Sequence, residues 1–199
     1  MDQIYDGADL DNLSEYITKK ADKFCISRQE RDVIESQLDN QADNALAVIK
    51  RCSAGFPQVL LVHPFYEGMV LPTIFWLSCP ELSERIFQLE DQGLLEELTR
   101  REREHSSFSQ KMNLAHAEYA RCRRKLMKEE HWQQAASISE DIVKTLENSG
   151  AGGIRTSTGL KCLHTHYAHY VVGGRNPAGR ITAERLSPTW LCRRCYRFC

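Results

Sequence analysis

From Leu94 to Asn148 the chain contains neither Gly nor Pro and is dense in Glu, Arg, Lys, Gln and Ala. Strong helix formers with no breaker commit this stretch to helix. Within it His105, Phe108, Met112, Ala115, Tyr119, Cys122 and Leu126 recur at alternating spacings of three and four, a heptad seam over three repeats. A second stripe, Trp132, Ala135, Ser139, Ile142 and Leu146, follows the charged Lys128-Glu-Glu130. The two stripes predict a long helix and a partner helix, either folded as an antiparallel hairpin or forming one rod that protrudes from the domain. His105, Ala115 and Ser139 are too polar or too small for a strong dimeric seam. Packing within the monomer is therefore preferred, and a homodimer through a coiled coil is the alternative.

The preceding residues change period. Leu10, Leu13 and Ile17 predict a short amphipathic helix over Ala8–Lys20. Ser27 with Glu30 three residues on has the form of a capping box, opening a helix through about Asp39. The segments Ala45–Cys52, Gln58–His63 and Thr73–Ser78 are short and rich in β-branched or aromatic residues. Gly55, Pro57, Pro64, Gly68 and Pro72 punctuate them, which predicts three strands of a small antiparallel sheet. Pro80 suits a first helical turn and Gly93 a helix end. A further helix is expected over Leu160–Val172 and a short one over Ile181–Leu186, with Asn148–Gly153 as a loop and hinge.

The expected fold class is α+β, a small antiparallel sheet flanked by helices, with a long helical hairpin and a Cys/His-rich C-terminal segment. One composite domain divides into N-terminal helices (1–44), sheet plus helix (45–93), hairpin (94–148) and a basic segment packing on the sheet (149–199). Apolar residues make up 42% and charged residues 27%, which excludes wholesale disorder. No apolar run approaches the roughly 20 residues of a membrane helix. The opening Met-Asp-Gln-Ile-Tyr-Asp lacks the basic and apolar regions of a secretory signal, so a cytoplasmic location is expected.

The near-neutral net charge of −1 hides an asymmetry. From Gly150 to Cys199 there are eight basic residues and one acid, Glu184, leaving the first 149 residues strongly acidic. Four of the eight Cys and three of the seven His also fall in this last quarter. In a reducing cytosol such a cluster points to metal or redox chemistry rather than a disulfide framework.

The sharpest constellation pairs Cys162-Leu-His-Thr-His-Tyr-Ala-His169 with Cys192-Arg-Arg-Cys195. A C-x-x-C turn supplies two thiolates to a tetrahedral metal, and two more ligands must come from elsewhere. On a helix Cys162, His166 and His169 would share a face. Arg193, Arg194, Arg197 and Lys161 would favour the thiolates electrostatically. Cys79, where a strand meets a helix N-terminus, is a second-tier candidate. Cys52, Cys25 and Cys122 read as structural thiols, and Cys199 as a spare ligand or a terminal bystander.

Other signals are weaker. Gly150–Arg155 has the glycines of a phosphate-cradling loop but no following Lys-Ser/Thr, so it reads as a linker. The basic tail, with Tyr167, Tyr170, Trp190, Tyr196 and Phe198, has the composition of a nucleic-acid surface. Its charge would serve equally to neutralise the acidic remainder of the chain.

Several runs resemble the family known as domain of unknown function 501. They are Arg51-Cys52 with Gly55-Phe-Pro-Gln-Val59, and Leu71-Pro-Thr-Ile-Phe-Trp-Leu-Ser-Cys-Pro80. Gly152-Gly-Ile154, Leu160-Lys-Cys-Leu-His164 with Ala168-His169, and Asn176-Pro-Ala-Gly179 complete the set. The resemblance spans about Arg51 to Gly179 and singles out Cys79, Cys162, His164 and His169. It also raises Cys52 to a possible ligand and implies one further Cys near the C-terminus. The chain departs from the pattern in Ser78, in the additional His166 and in its longer Cys-rich ending. No activity comes with the resemblance.

The functional expectation is a cytosolic metal-binding protein whose site is drawn from Cys162, His164 or His169, Cys192, Cys195 and Cys79. Zinc suits a mixed thiolate and imidazole set, and an iron–sulfur cluster is the second choice. A nucleic-acid-binding module is the rival from another class. A metal-dependent hydrolase would need an open coordination position. No separate acid or base presents itself, so binding and structure are preferred over catalysis, and enzyme activity stays open.

Overall fold

A computed structural model describes residues 10–23, 26–156 and 159–186. Three helices and a sheet form the first half. Helix α1 (Leu10–Lys23) is followed by α2 (Arg28–Leu38), capped as expected by Ser27, whose hydroxyl accepts the Glu30 N–H at 3.2 Å. Strands β1 (Ala45–Arg51), β2 (Pro57–Val62) and β5 (Phe75–Leu77) form an antiparallel sheet in the order β1-β2-β5. A two-residue ribbon, β3 (Phe65–Tyr66) with β4 (Met69–Val70), interrupts the connection to β5. Helix α3 (Pro80–Asp91) starts at the expected proline, and Gly93 takes the left-handed conformation beyond it.

Central β2 is buried on both faces, so its run Val59–Val62 is continuously apolar. One face packs Leu60 and Val62 against Ile34 of α2. The other packs Val59 and Leu61 with Leu13 and Ile17 of α1 and with Tyr119 and Ala168 from the second half of the chain.

The stretch from Leu94 to Asn148 is helical and folds back on itself, but as four helices rather than a plain hairpin. They are α4 (Leu94–Glu104), α5 (Ser106–Leu126), α6 (Glu129–Ile138) and α7 (Glu140–Asn148). At the two later breaks no Gly or Pro is needed, because polar side chains take over backbone donors. His131 Nδ1 receives the Lys128 N–H at 3.1 Å, and the Ser139 hydroxyl receives the Asp141 N–H at 3.2 Å. The seam residues Phe108, Met112, Ala115, Tyr119, Cys122 and Leu126 of α5 are all buried against this chain's own core. His105 is exposed between α4 and α5.

Arg123 of α5 is the largest fully buried side chain among the described residues. Its guanidinium faces three carbonyl oxygens, donating to Leu146 at 2.7 Å, to Pro72 at 2.9 Å and to Ser149. It thereby caps the carbonyl end of α7 and ties that end to the loop before β5. Burial lowers its pKa to about 10.

After α7 the expected loop is a tight 3-10 turn over Ala151–Gly153, with Gly152 and Gly153 at positive φ. Helices α8 (Leu163–Val171) and α9 (Pro177–Arg185) complete the described fold, and α8 packs beside β5. Helix α9 in turn packs on α8. No helix of the described residues is long and apolar enough to cross a membrane.

Candidate functional site

Helix α8 begins at Leu163, three residues later than expected, and Cys162 is its extended N-cap residue with φ −152°. Cys162 therefore precedes the helix and does not continue the ladder of His166 and His169, which turn into the core. The sequence-derived site accordingly separates into a buried part and a surface part.

The buried part is organised by Asn176, the N-cap of α9. Its Oδ1 accepts the Gly179 N–H at 2.9 Å, which fixes the amide orientation. Its Nδ2 then donates to His166 Nδ1 at 2.9 Å and to His169 Nδ1 at 3.3 Å. Both rings must therefore carry their proton on Nε2. His169 Nε2 lies 3.1 Å from Glu118 Oε2, an ion-pair separation reached off the N–H axis. Burial alone would raise the Glu118 carboxyl, but the His169 ring and the Arg175 N–H, donated at 2.8 Å, bring it below its ordinary value. Phe75 stacks on His169 and Tyr119 meets it edge-on.

His116 of α5 completes this layer. Its Nδ1 accepts the Ala151 N–H at 3.1 Å and its Nε2 donates to the Gly159 carbonyl at 3.2 Å. The N–H of Gly159 is in turn donated to Glu102 Oε2 at 2.8 Å. The rings of His116 and His166 meet edge to face at 5.9 Å. Burial pushes the His166 pKa down to about 3 and lowers that of His116.

Three glycines let backbone reach this layer. A Cβ at Gly150 would stand 2.3 Å from His116 Nδ1, at Gly174 2.1 Å from His169 Cδ2, and at Gly179 2.0 Å from the His166 carbonyl oxygen. The layer is thus a closed set of histidines, hydrogen-bonded and tightly packed. Sequence reasoning missed Glu102, His116, Glu118 and Asn176. The run Asn176-Pro-Ala-Gly179 was a signal for the last of these, since it couples an N-cap to a close helix crossing.

The surface part surrounds the start of α8. Cys162 is half-buried, its thiol 3.3 Å from the Thr165 hydroxyl. His164 Nε2 lies 3.0 Å from the Ser83 carbonyl oxygen, which can only accept, so this nitrogen carries the proton. Its Nδ1 faces Glu90 Oε2 at 3.6 Å, and the other Glu90 oxygen receives the Leu163 N–H. Cys79 is the N-cap residue of α3, as expected, and is buried with Leu82, Leu163 and Tyr167. Cys52 is half-buried, and Cys122 is buried in the seam with its thiol pKa raised by desolvation.

Cys192 and Cys195, like Cys25, Cys199 and Trp190, lie outside the described residues. Among the described residues no three His, Cys, Asp or Glu side chains form a group able to hold a metal ion. Part of the basic C-terminal charge meets the acidic body, with Arg155 3.8 Å from Asp141 and Arg185 3.7 Å from Glu97.

A family model described as "Protein of unknown function (DUF501)" matches residues 48–184. No curated protein and no solved structure matches the chain.

Proposed function

The chain belongs to the DUF501 family. We propose that it is a metal-binding protein, with zinc held by Cys162, His164, Cys192 and Cys195. The observation that carries this reading is the facing pair at the start of α8. His164 Nδ1 and the Glu90 carboxylate face each other across 3.6 Å, and a cation bound at Nδ1 would be stabilised by that carboxylate. A histidine that ligates a metal through one nitrogen commonly donates from the other to a carbonyl or carboxylate, and Ser83 supplies that acceptor for His164. Cys162, two residues before it, is half-buried and reachable.

The described body contributes two ligands and the C-x-x-C pair the other two. Leu186, the last described residue, packs in one apolar cluster with Leu163 and Cys79. The six residues from Leu186 to Cys192 span at most roughly 20 Å, a reach that suits the site. His169 and Cys79 then take structural parts, His169 in the Asn176 layer and Cys79 beneath α3. Four protein ligands close the coordination shell, so the metal organises the fold rather than activating water.

Elemental analysis of anaerobically purified, untagged protein tests the reading. About one zinc per chain is expected, lost in Cys162→Ser and in Cys195→Ser together with stability. Brown protein containing iron and sulfide would replace zinc by a cluster. No bound metal after anaerobic reconstitution with either would overturn the proposal.

A further inference from the structure

A groove runs between the end of α2, β5 and the start of α3 and α8. Leu38, Leu77, Ser78, Phe87 and His164 line it. Two features mark it as a seat rather than a surface wrinkle. Phe87 presents an aromatic ring at 60% exposure on the wall. The Ser78 hydroxyl is buried, at 1% exposure of the residue, without a hydrogen-bond partner among the described residues, an arrangement that costs free energy unless a further group supplies one.

We propose that this groove receives the chain's own C-terminal segment, residues 187–199. The occupant is argued from where the described chain stops and from chemistry. Leu186 packs in the cluster that also holds Cys79, whose neighbours Ser78 and Pro80 line the groove. Four residues further on comes Trp190, within roughly 14 Å of chain, followed by Leu191. These two apolar side chains match Leu38, Leu77 and Phe87. The following Arg193 and Arg194 match Glu84 of the groove wall and Glu90 beside His164. The docking stands without a metal. It is also the arrangement that would carry Cys192 and Cys195 to Cys162 and His164.

Fluorine NMR of the full chain grown with 5-fluorotryptophan tests it. Three signals are expected, one per Trp, and Trp190→Phe assigns the relevant one. A docked Trp190 is shielded from a soluble gadolinium chelate, both with and without EDTA, and the shielding is independent of protein concentration. Phe87→Asp, at an exposed position that does not threaten the core, and Glu84→Arg should each expose Trp190 while leaving the Trp132 signal unchanged. Trp190 fully relaxed by the chelate in the unmodified chain would overturn the proposal. So would shielding that ignores both substitutions, or shielding that grows with concentration and so belongs to a second copy. Shielding lost only on EDTA treatment would overturn groove docking while leaving the metal reading standing. Shielding in protein that holds no metal would support docking while that reading fails.

Discussion

Asn176 donates its amide N–H to His166 Nδ1 across 2.9 Å, in a position where neither side chain reaches water. The same amide serves His169 and, through its oxygen, the first turn of α9. Asn176→Ala therefore removes a helix cap and strands two buried ring nitrogens at once. The expected loss is about 3 kcal/mol, read as a lowered urea midpoint with unchanged slope. A loss under about 0.5 kcal/mol would mean that the histidines find other partners.

The neutral state of His166 makes stability depend on pH. In the folded chain it titrates at about 3 because burial disfavours its charge, whereas an unfolded histidine titrates near 6.5. Between those values the unfolded chain binds the extra proton, so stability is complete above about pH 6.5 and is lost as the pH falls toward about 3. Going from about pH 7.5 to about pH 5 should cost about 2 kcal/mol from this residue alone. His116, also lowered by burial, and Glu118, held below its ordinary value, act in the same direction. Urea titrations of the unmodified chain and of His166→Asn at both pH values check the assignment. An equal loss in both proteins would exclude His166 as the source.

Gly179 sets helix propensity against packing. It lies in the first turns of α9, where alanine is ordinarily favoured by up to about 1 kcal/mol. Here a Cβ would meet the His166 carbonyl oxygen at 2.0 Å, with the His166 carbonyl carbon and Tyr170 Cβ at 2.7 Å. Two of those contacts are backbone, so α8 and α9 would have to separate. Gly179→Ala is expected to destabilise by about 3 kcal/mol and to disturb the Asn176 layer, visible as shifted His166 and His169 ring signals in NMR. A stabilised Gly179→Ala would show that the crossing is looser than this.

The strands and the Ser27 cap were legible because their signals are local. Short β-branched and aromatic runs between Gly and Pro mark β1, β2 and β5, and one hydroxyl in reach of the Glu30 N–H marks α2. The break of the Leu94–Asn148 stretch into four helices was not, since Ser139 and His131 cap backbone inside a sequence that otherwise reads as continuous helix. The candidate site divides the same way. Cys162 and His164 stand half-buried at the start of α8. His169 has the residue type of a ligand, but its role follows from Glu118, 51 positions earlier, and from Asn176. Long-range partners of this kind leave no periodic trace in one sequence.

Arg123 offers the sharpest test of how the helical half is held to the sheet. The cation is fully buried, and the hydrogen bonds that satisfy it run to carbonyl oxygens of Leu146, Ser149 and Pro72. These carbonyls belong to the end of α7, the turn after it and the loop before β5, so one side chain of α5 joins two regions distant from it and from each other in sequence. Arg123→Met keeps much of the volume but leaves three buried acceptors unmet. A loss of about 3 kcal/mol or more is expected. Arg123→Lys keeps the charge but replaces a planar fork by a point donor, which cannot span the three carbonyls in the same way. It should fall between the unmodified chain and the Met variant. Urea denaturation of the three proteins, with hydrogen exchange at the backbone amides of α7, reads both effects. Equal stability of the Lys and unmodified chains would show that charge alone, rather than the fork geometry, secures the end of α7.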